Sequence, residues 1–284
     1  MASASFNGVF GPSTDEPGAH ALIGIPQDRA SSFRAGAHLG PAAIREMAAS
    51  LNPCTERGTD LARLNAVDQG DLSLSRDADS TRSQIASTVA RAMNDGTMPI
   101  VLGGDHSVTV PSFNAALERY PDVQMLYLDA HPDLYTEFGG DPFSHACVVA
   151  RILDMDGMTG DRITQAGVRA WTPEQREIAD QHGIKTFSVG EIAPFRYETS
   201  KPVYLSLDID VLDPAFAPGV GNPVPGGLSS RALIDLVQGL DVHIVGMDLV
   251  EVNPLLDRAN VTSVAGARLV LEALGTMAQH RGAA

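Results

Sequence analysis

The chain has 284 residues, of which 44% are apolar, enough to bury the core of one large domain and to exclude disorder as its main state. It carries 35 acidic and 20 basic residues, and the formal charge of −15 argues against a nucleic-acid partner, which would need a basic face. Only two cysteines are present, too few for a disulfide framework or a thiolate zinc site, and they suit a reducing compartment.

The sequence contains no recognisable targeting or membrane signal. No basic start precedes an apolar stretch, and no run of about 18 apolar residues is present, so we expect neither a secretory signal nor a membrane-spanning helix. We therefore expect a cytoplasmic protein without a membrane partner. Because no repeat or linker-like stretch divides the chain, we predict one domain over residues 1–284, with residues 1–18 as an N-terminal arm.

Short apolar runs alternate with helical patterns along the chain. Apolar runs that predict strands lie at residues 21–25, 99–104, 123–129, 163–168, 185–189, 203–210 and 243–252. Several are continuously apolar, which is typical of strands covered on both faces. Helices are predicted from Pro41 onwards, over 80–95, after the capping-box pattern at Thr172, and over 229–240 and 264–277. This alternation predicts a parallel α/β sheet with helices on both faces.

Unusual polar residues lie at the ends of four of these apolar runs. Open parallel sheets bind ligands at the carboxyl ends of their strands, where such residues come together. Two glycines, Gly103 and Gly104, precede the first of them and allow close approach of the backbone. The stretch "GGDHS" is not a dinucleotide fingerprint, and no G-x-S-x-G serine-hydrolase elbow is present. The candidate site residues are Asp105, His106, Asp129, His131, Asp133, Asp208, Asp210 and Glu251.

A cluster of carboxylates at a partly buried sheet edge is costly, because like charges repel and burial disfavours the charged form. Two divalent cations would relieve the repulsion if they lay about 3.5–4 Å apart, bridged by shared carboxylates and a water-derived hydroxide. Oxygen and nitrogen ligands without cysteine favour manganese, nickel, cobalt or zinc over magnesium. For any single side chain, a turn or capping role is the simpler interpretation, but three separate strand-end clusters favour a metal site.

Six motifs, in this order along the chain, resemble those of the ureohydrolases, the family of arginases and agmatinases. They are "VLGGDHS" (101–107), "DAHPDLY" (129–135), "SHA" (144–146), "SLDIDVLDPAFAPG" (206–219), "PGGLS" (225–229) and "EVNP" (251–254). The stretch "SSFRAGAHLGPAAIRE" (31–46) resembles the N-terminal region of the family. Within the ureohydrolase family, the motifs most resemble those of plant-type arginases and their agmatinase-like bacterial relatives.

The resemblance implies a three-layer α/β/α sandwich around an eight-stranded parallel sheet, assembled as a homo-oligomer of three or six subunits. It also implies that two manganese ions hydrolyse a small cationic guanidino substrate to urea and an amine. One ion would be bound by His106, Asp129, Asp133 and Asp208, and the other by Asp129, His131, Asp208 and Asp210, with Asp129 and Asp208 bridging.

The resemblance assigns further roles to three residues. Asp133 would accept a hydrogen bond from the bridging hydroxide and orient its attack on the guanidinium carbon. His145 would carry a proton to the leaving amine, a role that suits an imidazole titrating near neutral pH. Glu251 would pair with the planar guanidinium, to which a carboxylate offers two matched acceptors. A core histidine and a turn-capping glutamate are the alternative interpretations of His145 and Glu251.

The tail of the substrate is less well determined by the sequence. Val220 and Asn222 stand where the family often has threonines, and Ala146 stands where glycine is usual, so the pocket lining is expected to differ from the common pattern. If Asp141 faces the pocket mouth, its carboxylate would repel the α-carboxylate of arginine and attract the ammonium of agmatine. This hypothesis favours agmatine, and a plain exposed-loop position for Asp141 is the alternative. Arginine, guanidinobutyrate, guanidine and biguanides remain open.

The metal and the class of protein also have competing interpretations. Nickel could replace manganese in a variant with an altered pocket. A histone-deacetylase-like zinc hydrolase would not need His106 or the full set of aspartates, so two-metal chemistry is preferred. A non-catalytic subunit of a mixed oligomer would be expected to have lost ligands, and none is lost at the metal positions, His145 or Glu251.

Overall fold

The computed structural model describes residues 5–12, 19–192 and 196–281. The strands within these ranges are β1 (Gly11–Pro12), β2 (His20–Ile25), β3 (Ala66–Asp71), β4 (Met98–Gly103), β5 (Gln124–Leu128), β6 (Ile163–Ala166), β7 (Lys185–Phe187), β8 (Val203–Asp208) and β9 (Ile244–Val250). The helices are α1 (Gly40–Ala48), α2 (Ala78–Asn94), α3 (Thr109–Arg119), α4 (Val148–Leu153), α5 (Pro173–His182), α6 (Val189–Ile192), α7 (Ser230–Gln238) and α8 (Val261–Arg281).

All nine strands form one sheet in the order β1-β3-β2-β4-β9-β8-β5-β6-β7, and every neighbouring pair is parallel. The predicted parallel α/β sheet is therefore confirmed. The expected count of eight strands is corrected to nine, because the N-terminal segment adds the two-residue strand β1 beside Val67 and Asp68 of β3. No apolar run predicts β1 or β3.

Side chains from the strands enter two separate cores, because successive residues of a strand point to opposite faces of the sheet. In β4, Ile100 and Leu102 pack in one core and Val101 packs in the other. The first core includes residues of α1, α7 and α8, and the second includes residues of α2, α3, α4 and α5. The predicted three-layer α/β/α sandwich is thus confirmed.

The described part of the predicted N-terminal arm, residues 5–12, packs against the sheet. Phe6 and Phe10 are buried and meet edge to face, with their ring centroids 5.3 Å apart. Gly11 and Pro12 then pair with β3. The rest of the predicted arm, residues 1–4 and 13–18, lies outside the described ranges.

One stretch, Arg258–Gln279, is long and apolar enough to cross a membrane when judged by length and composition alone. It includes most of α8, and 72% of its most apolar window is buried inside the protein. Leu269, Val270 and Leu274 of this helix pack in the first core. Burial against the sheet therefore accounts for the apolar composition of α8 without a membrane.

Gly104 brings three segments of backbone together directly after β4. Its carbonyl accepts a hydrogen bond from the N–H of Glu251 at 2.8 Å, and the next N–H, that of Asp105, donates to the carbonyl of Gln27 at 2.7 Å. A Cβ atom at Gly104 would lie 1.8 Å from that Gln27 oxygen. Only glycine fits this approach, as the "GGDH" motif predicts.

Gly104→Ala is expected to lower the free energy of unfolding by about 1–3 kcal/mol or more, because the backbone at Gln27 has to move. Gly11→Ala is the matched control, since its Cβ would meet no atom closer than the Ala66 carbonyl oxygen at 3.7 Å. Urea denaturation measures both variants against the wild type. Equal losses of stability would contradict a specific close approach at Gly104.

Candidate metal centre and active site

Four neighbouring strands deliver the polar residues to one edge of the sheet. In the sheet order β4, β9, β8 and β5 are consecutive and parallel, so their carboxyl ends lie side by side. These ends lead, in that order, into His106, Glu251, the pair Asp208 and Asp210, and the segment 129–133.

Two triads of side chains have the spacing of metal ligands. The ligand atoms of His106, Asp129 and Asp208 lie within 4.8 Å of one another, and so do those of Asp129, His131 and Asp210. In the first triad, His106 Nδ1 is 3.0 Å from Asp129 Oδ2 and 3.1 Å from Asp208 Oδ2. In the second, His131 Nδ1 is 3.0 Å from Asp210 Oδ2 and 3.5 Å from Asp129 Oδ1. Asp129 therefore faces both groups.

Asp129 shows that these residues fit bound cations. Its side chain is fully buried, and its Oδ1 accepts a hydrogen bond from the backbone N–H of His131 at 2.6 Å. Its Oδ2 has no hydrogen-bond partner among the described residues, although the ring of His106 lies beside it. A buried carboxylate oxygen without a donor is costly, and a divalent ion between the triads would satisfy it. The all-nitrogen-and-oxygen donor set agrees with such an ion.

Asp133 lies beside the first triad rather than within it. Its Oδ2 is 3.6 Å from His106 Nδ1 and accepts a hydrogen bond from the Tyr127 hydroxyl at 2.6 Å. The backbone of Asp133 has φ of 48°, a left-handed conformation that is unusual for a residue other than glycine. Neither metal binding by Asp133 nor bridging by Asp208 follows from the two triads, so those two assignments remain predictions.

The charges of the cluster shift one another's pKa values in opposite directions. Burial, followed by the charge of Asp129, raises the pKa of Asp133 to about 7, and burial beside Asp210 raises that of Asp208. Burial alone would also raise the pKa of Asp129, but the rings of His106 and His131 beside it hold it below its usual value. The carboxylates thus need positive charge close by, which protonated histidines or cations can provide.

Glu251 and His145 form a buried pair next to the triads. Glu251 also has a left-handed backbone, with φ of 66°, and its Oε1 accepts hydrogen bonds from the His106 N–H at 2.9 Å and from His145 Nδ1 at 2.8 Å. The other ring nitrogen of His145, Nε2, lies 2.7 Å from Ser32 Oγ and 3.0 Å from Ser32 N. Glu251, predicted to pair with the guanidinium, and His145, predicted to carry the proton, therefore belong to one hydrogen-bonded group.

Ser32 and Glu251 affect the protonation of His145 in opposite ways. The backbone N–H of Ser32 can only donate, so it favours a ring without a proton on Nε2. The carboxylate of Glu251 favours the charged ring. A histidine held between such neighbours can release or take up a proton with little movement. The stretch 31–46 that resembles the family's N-terminal region contains Ser32, but its contact with His145 could not be predicted, because the two residues are 113 positions apart along the chain.

A cavity of ≈ 500 Å³ opens over the two triads. Of the predicted site residues, it is lined by His106, His131, Asp133, His145, Asp208, Asp210 and Glu251. Asn222 and Ala146 also line it, as expected, whereas Val220 is buried in the first core. Lining residues that were not predicted from the sequence include Ser32, Phe33, Arg34, Tyr135 and Phe138.

The structure does not bring Asp141 to the cavity. Its side chain is exposed, and Oδ1 accepts a hydrogen bond from the N–H of Phe143 at 2.8 Å, which is a turn interaction within its own loop. Its backbone pairs with Phe138, which does line the cavity. The structure thus favours the exposed-loop alternative for Asp141, and a role at the pocket mouth remains a hypothesis without support from the cavity lining.

The His145–Glu251 pair makes stability depend on pH. Burial would lower the pKa of His145, but the charge of Glu251 raises it to about 9. A histidine whose pKa is raised on folding, from about 6.5 when unfolded, contributes stability fully below about pH 6.5 and loses it as the pH rises to about 9. In the metal-free protein, Glu251→Gln is therefore expected to be more destabilising at about pH 6 than at about pH 10. Urea unfolding at both values measures this, and a loss independent of pH would contradict it.

Comparisons with known proteins agree with the motifs. A family model described as the Arginase family matches residues 19–275. An agmatinase of Bacillus anthracis is 34% identical over 264 residues, covering 89% of this chain and 90% of that protein. The mitochondrial arginase 1 of Arabidopsis thaliana is 37% identical over 271 residues, covering 88% and 79%. The structure of proclavaminate amidino hydrolase from Streptomyces clavuligerus matches with a TM-score of 0.89 and 30% identity, covering 98% of each chain. The chain thus belongs to the arginase family and is an amidinohydrolase.

Proposed function

We propose that this protein hydrolyses a guanidino compound to urea and an amine at a binuclear metal centre. The observation that carries the proposal is the pair of ligand triads that share Asp129, beneath a cavity lined by Glu251 and His145. Such a cavity offers metal ligands, a carboxylate and an imidazole to one bound substrate. Membership of the arginase family supports the same reaction class.

Two Mn²⁺ ions per subunit are the proposed cofactor, with Ni²⁺ as the alternative, because every donor is nitrogen or oxygen. His106, Asp129 and Asp208 would hold one ion, and Asp129, His131 and Asp210 would hold the other. When bound, the ions would offset the carboxylate charges and activate a water molecule for attack on the guanidinium carbon.

Glu251 would bind the guanidinium group. Its Oε1 is already occupied by the His106 N–H and the ring of His145, whereas no described donor bonds Oε2. A Cβ atom on Gly221 would lie 3.8 Å from Oε2, so the glycine leaves space beside that oxygen. A planar guanidinium donates well to a carboxylate in such a position.

Asp133 and His145 would handle the protons of the reaction. Asp133, at the rim of the first triad, would accept a hydrogen bond from the attacking water and hold it in line with the guanidinium carbon. His145 lies between Glu251 and Ser32 and would pass a proton to the nitrogen of the leaving amine.

The residues that line the outer part of the cavity would determine which substrate tail fits. Phe33, Tyr135 and Phe138 line it and would pack against an alkyl chain. The similarity to an agmatinase supports agmatine, which we propose as the first substrate to test. Arg34 also lines the cavity, with its Nε donating to the carbonyl of Gly221 at 2.9 Å. Its positive charge would favour a tail that ends in a carboxylate, so guanidinobutyrate and arginine are the alternatives, followed by guanidine and biguanides.

The assembly and location of the protein are proposed on the resemblance to the family. A homo-oligomer of three or six subunits is the first choice, and a mixed oligomer with a second subunit type is the alternative. A cytoplasmic location agrees with the expectation from the sequence. Size-exclusion chromatography with light scattering tests the assembly.

Urea release from a panel of guanidino compounds tests the proposed function. The panel contains agmatine, arginine, guanidinobutyrate, guanidine and a biguanide, each assayed after reconstitution with Mn²⁺ or Ni²⁺. We expect urea from at least one compound, with two equivalents of metal bound per chain. Urea from none of them, with less than about one equivalent of metal bound, would favour a non-catalytic subunit instead.

Asp141→Asn is expected to leave the ratio of kcat/KM for agmatine and arginine unchanged, because Asp141 does not line the cavity. Arg34→Gln is the matched contrast, since Arg34 does line it. That variant is expected to lower kcat/KM selectively for substrates with a carboxylate tail. A shift in preference caused by Asp141→Asn alone would show that this carboxylate does act at the pocket mouth.

A further inference from the structure

Asp248 is a buried carboxylate for which the proposed reaction has no use. It lies within β9, is fully buried, and belongs neither to the two triads nor to the cavity lining. Its Oδ1 accepts a hydrogen bond from Ser206 Oγ at 2.7 Å, and its Oδ2 accepts one from the Tyr204 hydroxyl at 2.8 Å. Burying a charge inside a central strand is costly, and a protein with an apolar residue of similar volume at such a position is often at least as stable. Its presence therefore calls for a reason other than stability.

Ser206 connects Asp248 to a proposed metal ligand. Ser206 and Asp248 are register partners in the parallel pair of β8 and β9, so their side chains emerge side by side. On its other side, Ser206 Oγ lies 2.9 Å from Nε2 of His106. Because period-two alternation puts Ser206 and Asp208 on the same face of β8, the link lies directly beneath the first triad.

The direction of these hydrogen bonds follows from the chemistry of the groups. An ionised carboxylate only accepts, so the hydroxyl proton of Ser206 is used in the bond to Asp248. The oxygen of Ser206 must then accept from His106, which requires a proton on Nε2. With Nε2 protonated, the neutral ring presents the lone pair of Nδ1 toward Asp129 and Asp208.

We propose that Asp248 and Ser206 are positioning residues that hold His106 in the Nε2–H tautomer and thereby set the metal affinity of the first triad. The inference rests on the proposed binuclear centre and deepens it. We call the hydrogen-bonded chain Asp248–Ser206–His106 the relay. His131, the histidine of the second triad, contacts Asp129 and Asp210 and has no described bond to this relay. Loss of the relay therefore acts on one of the two ions.

Metal binding by variants of the relay tests this role. Ser206→Ala removes the hydroxyl that contacts His106. Asp248→Asn removes the negative charge that makes the Ser206 hydroxyl donate to residue 248 rather than to His106. Ser206→Thr keeps a hydroxyl at this position and serves as the conservative variant. Metal-free proteins are titrated with Mn²⁺ by calorimetry, and bound metal is counted by mass spectrometry after desalting. We expect Ser206→Ala and Asp248→Asn to lower the affinity for one of the two ions by about 10–100-fold and to leave the affinity for the other near its wild-type value. Ser206→Thr is expected to retain both.

Asp68→Asn controls for a general loss of stability. Asp68 is also a buried carboxylate, but it lies in β3 and bonds to Arg45, away from both triads. This variant is expected to lower the denaturation midpoint while both ions bind as in the wild type. If the wild type binds two ions and both relay variants bind them equally well, the positioning role is wrong. A parallel loss of both ions in Asp248→Asn and Asp68→Asn would also overturn it. A wild type that binds no metal would instead refute the proposed function.

Discussion

The structure is organised around the crowding of negative charge at one buried place. Asp129, Asp208 and Asp210 are at most 4% exposed, and their carboxylates share a site that also contains the rings of two histidines. Such a group is tolerated only where positive charge offsets the repulsion. The parallel sheet makes the arrangement possible because four adjacent strands end together, and each strand has to bring only one or two of the charges. Anything positive that binds there also stabilises the folded chain.

Features that depend on neighbouring residues could be predicted from the sequence. The seven predicted runs all correspond to strands. Central strands such as β4 and β9 are buried at every residue, which demands continuous apolar sequence, whereas the edge strand β7 is only partly buried. The polar residues after these runs converge because parallel strands have a common direction. In contrast, β3 has the sequence "AVDQGD", with only its first three residues buried, so it has no apolar run to reveal it. The two-residue β1 is too short to carry any pattern.

Contacts between distant loops could not be predicted. Ser32, Phe33 and Arg34 reach the cavity because their loop is tied to the C-terminal part of the chain, where Asn253 Nδ2 donates to the carbonyls of Arg34 and Ala35. No local pattern encodes that placement. The same limitation applies to Asp141, since an exposed loop carboxylate and a pocket carboxylate look alike in sequence.

The position of β9 has a consequence for how the molecule is made. Of the nine described strands, β9 is the last in sequence. It lies in the sheet between β4 and β8, so these two strands are joined only through β9. As the ribosome adds residues in order, about 250 of them must emerge before β9 can join the two parts of the sheet. Until then, the acidic ends of β5 and β8, which pair with each other, are not joined to the end of β4 that carries His106. The site is therefore completed late in folding, by contacts of long sequence separation that form slowly.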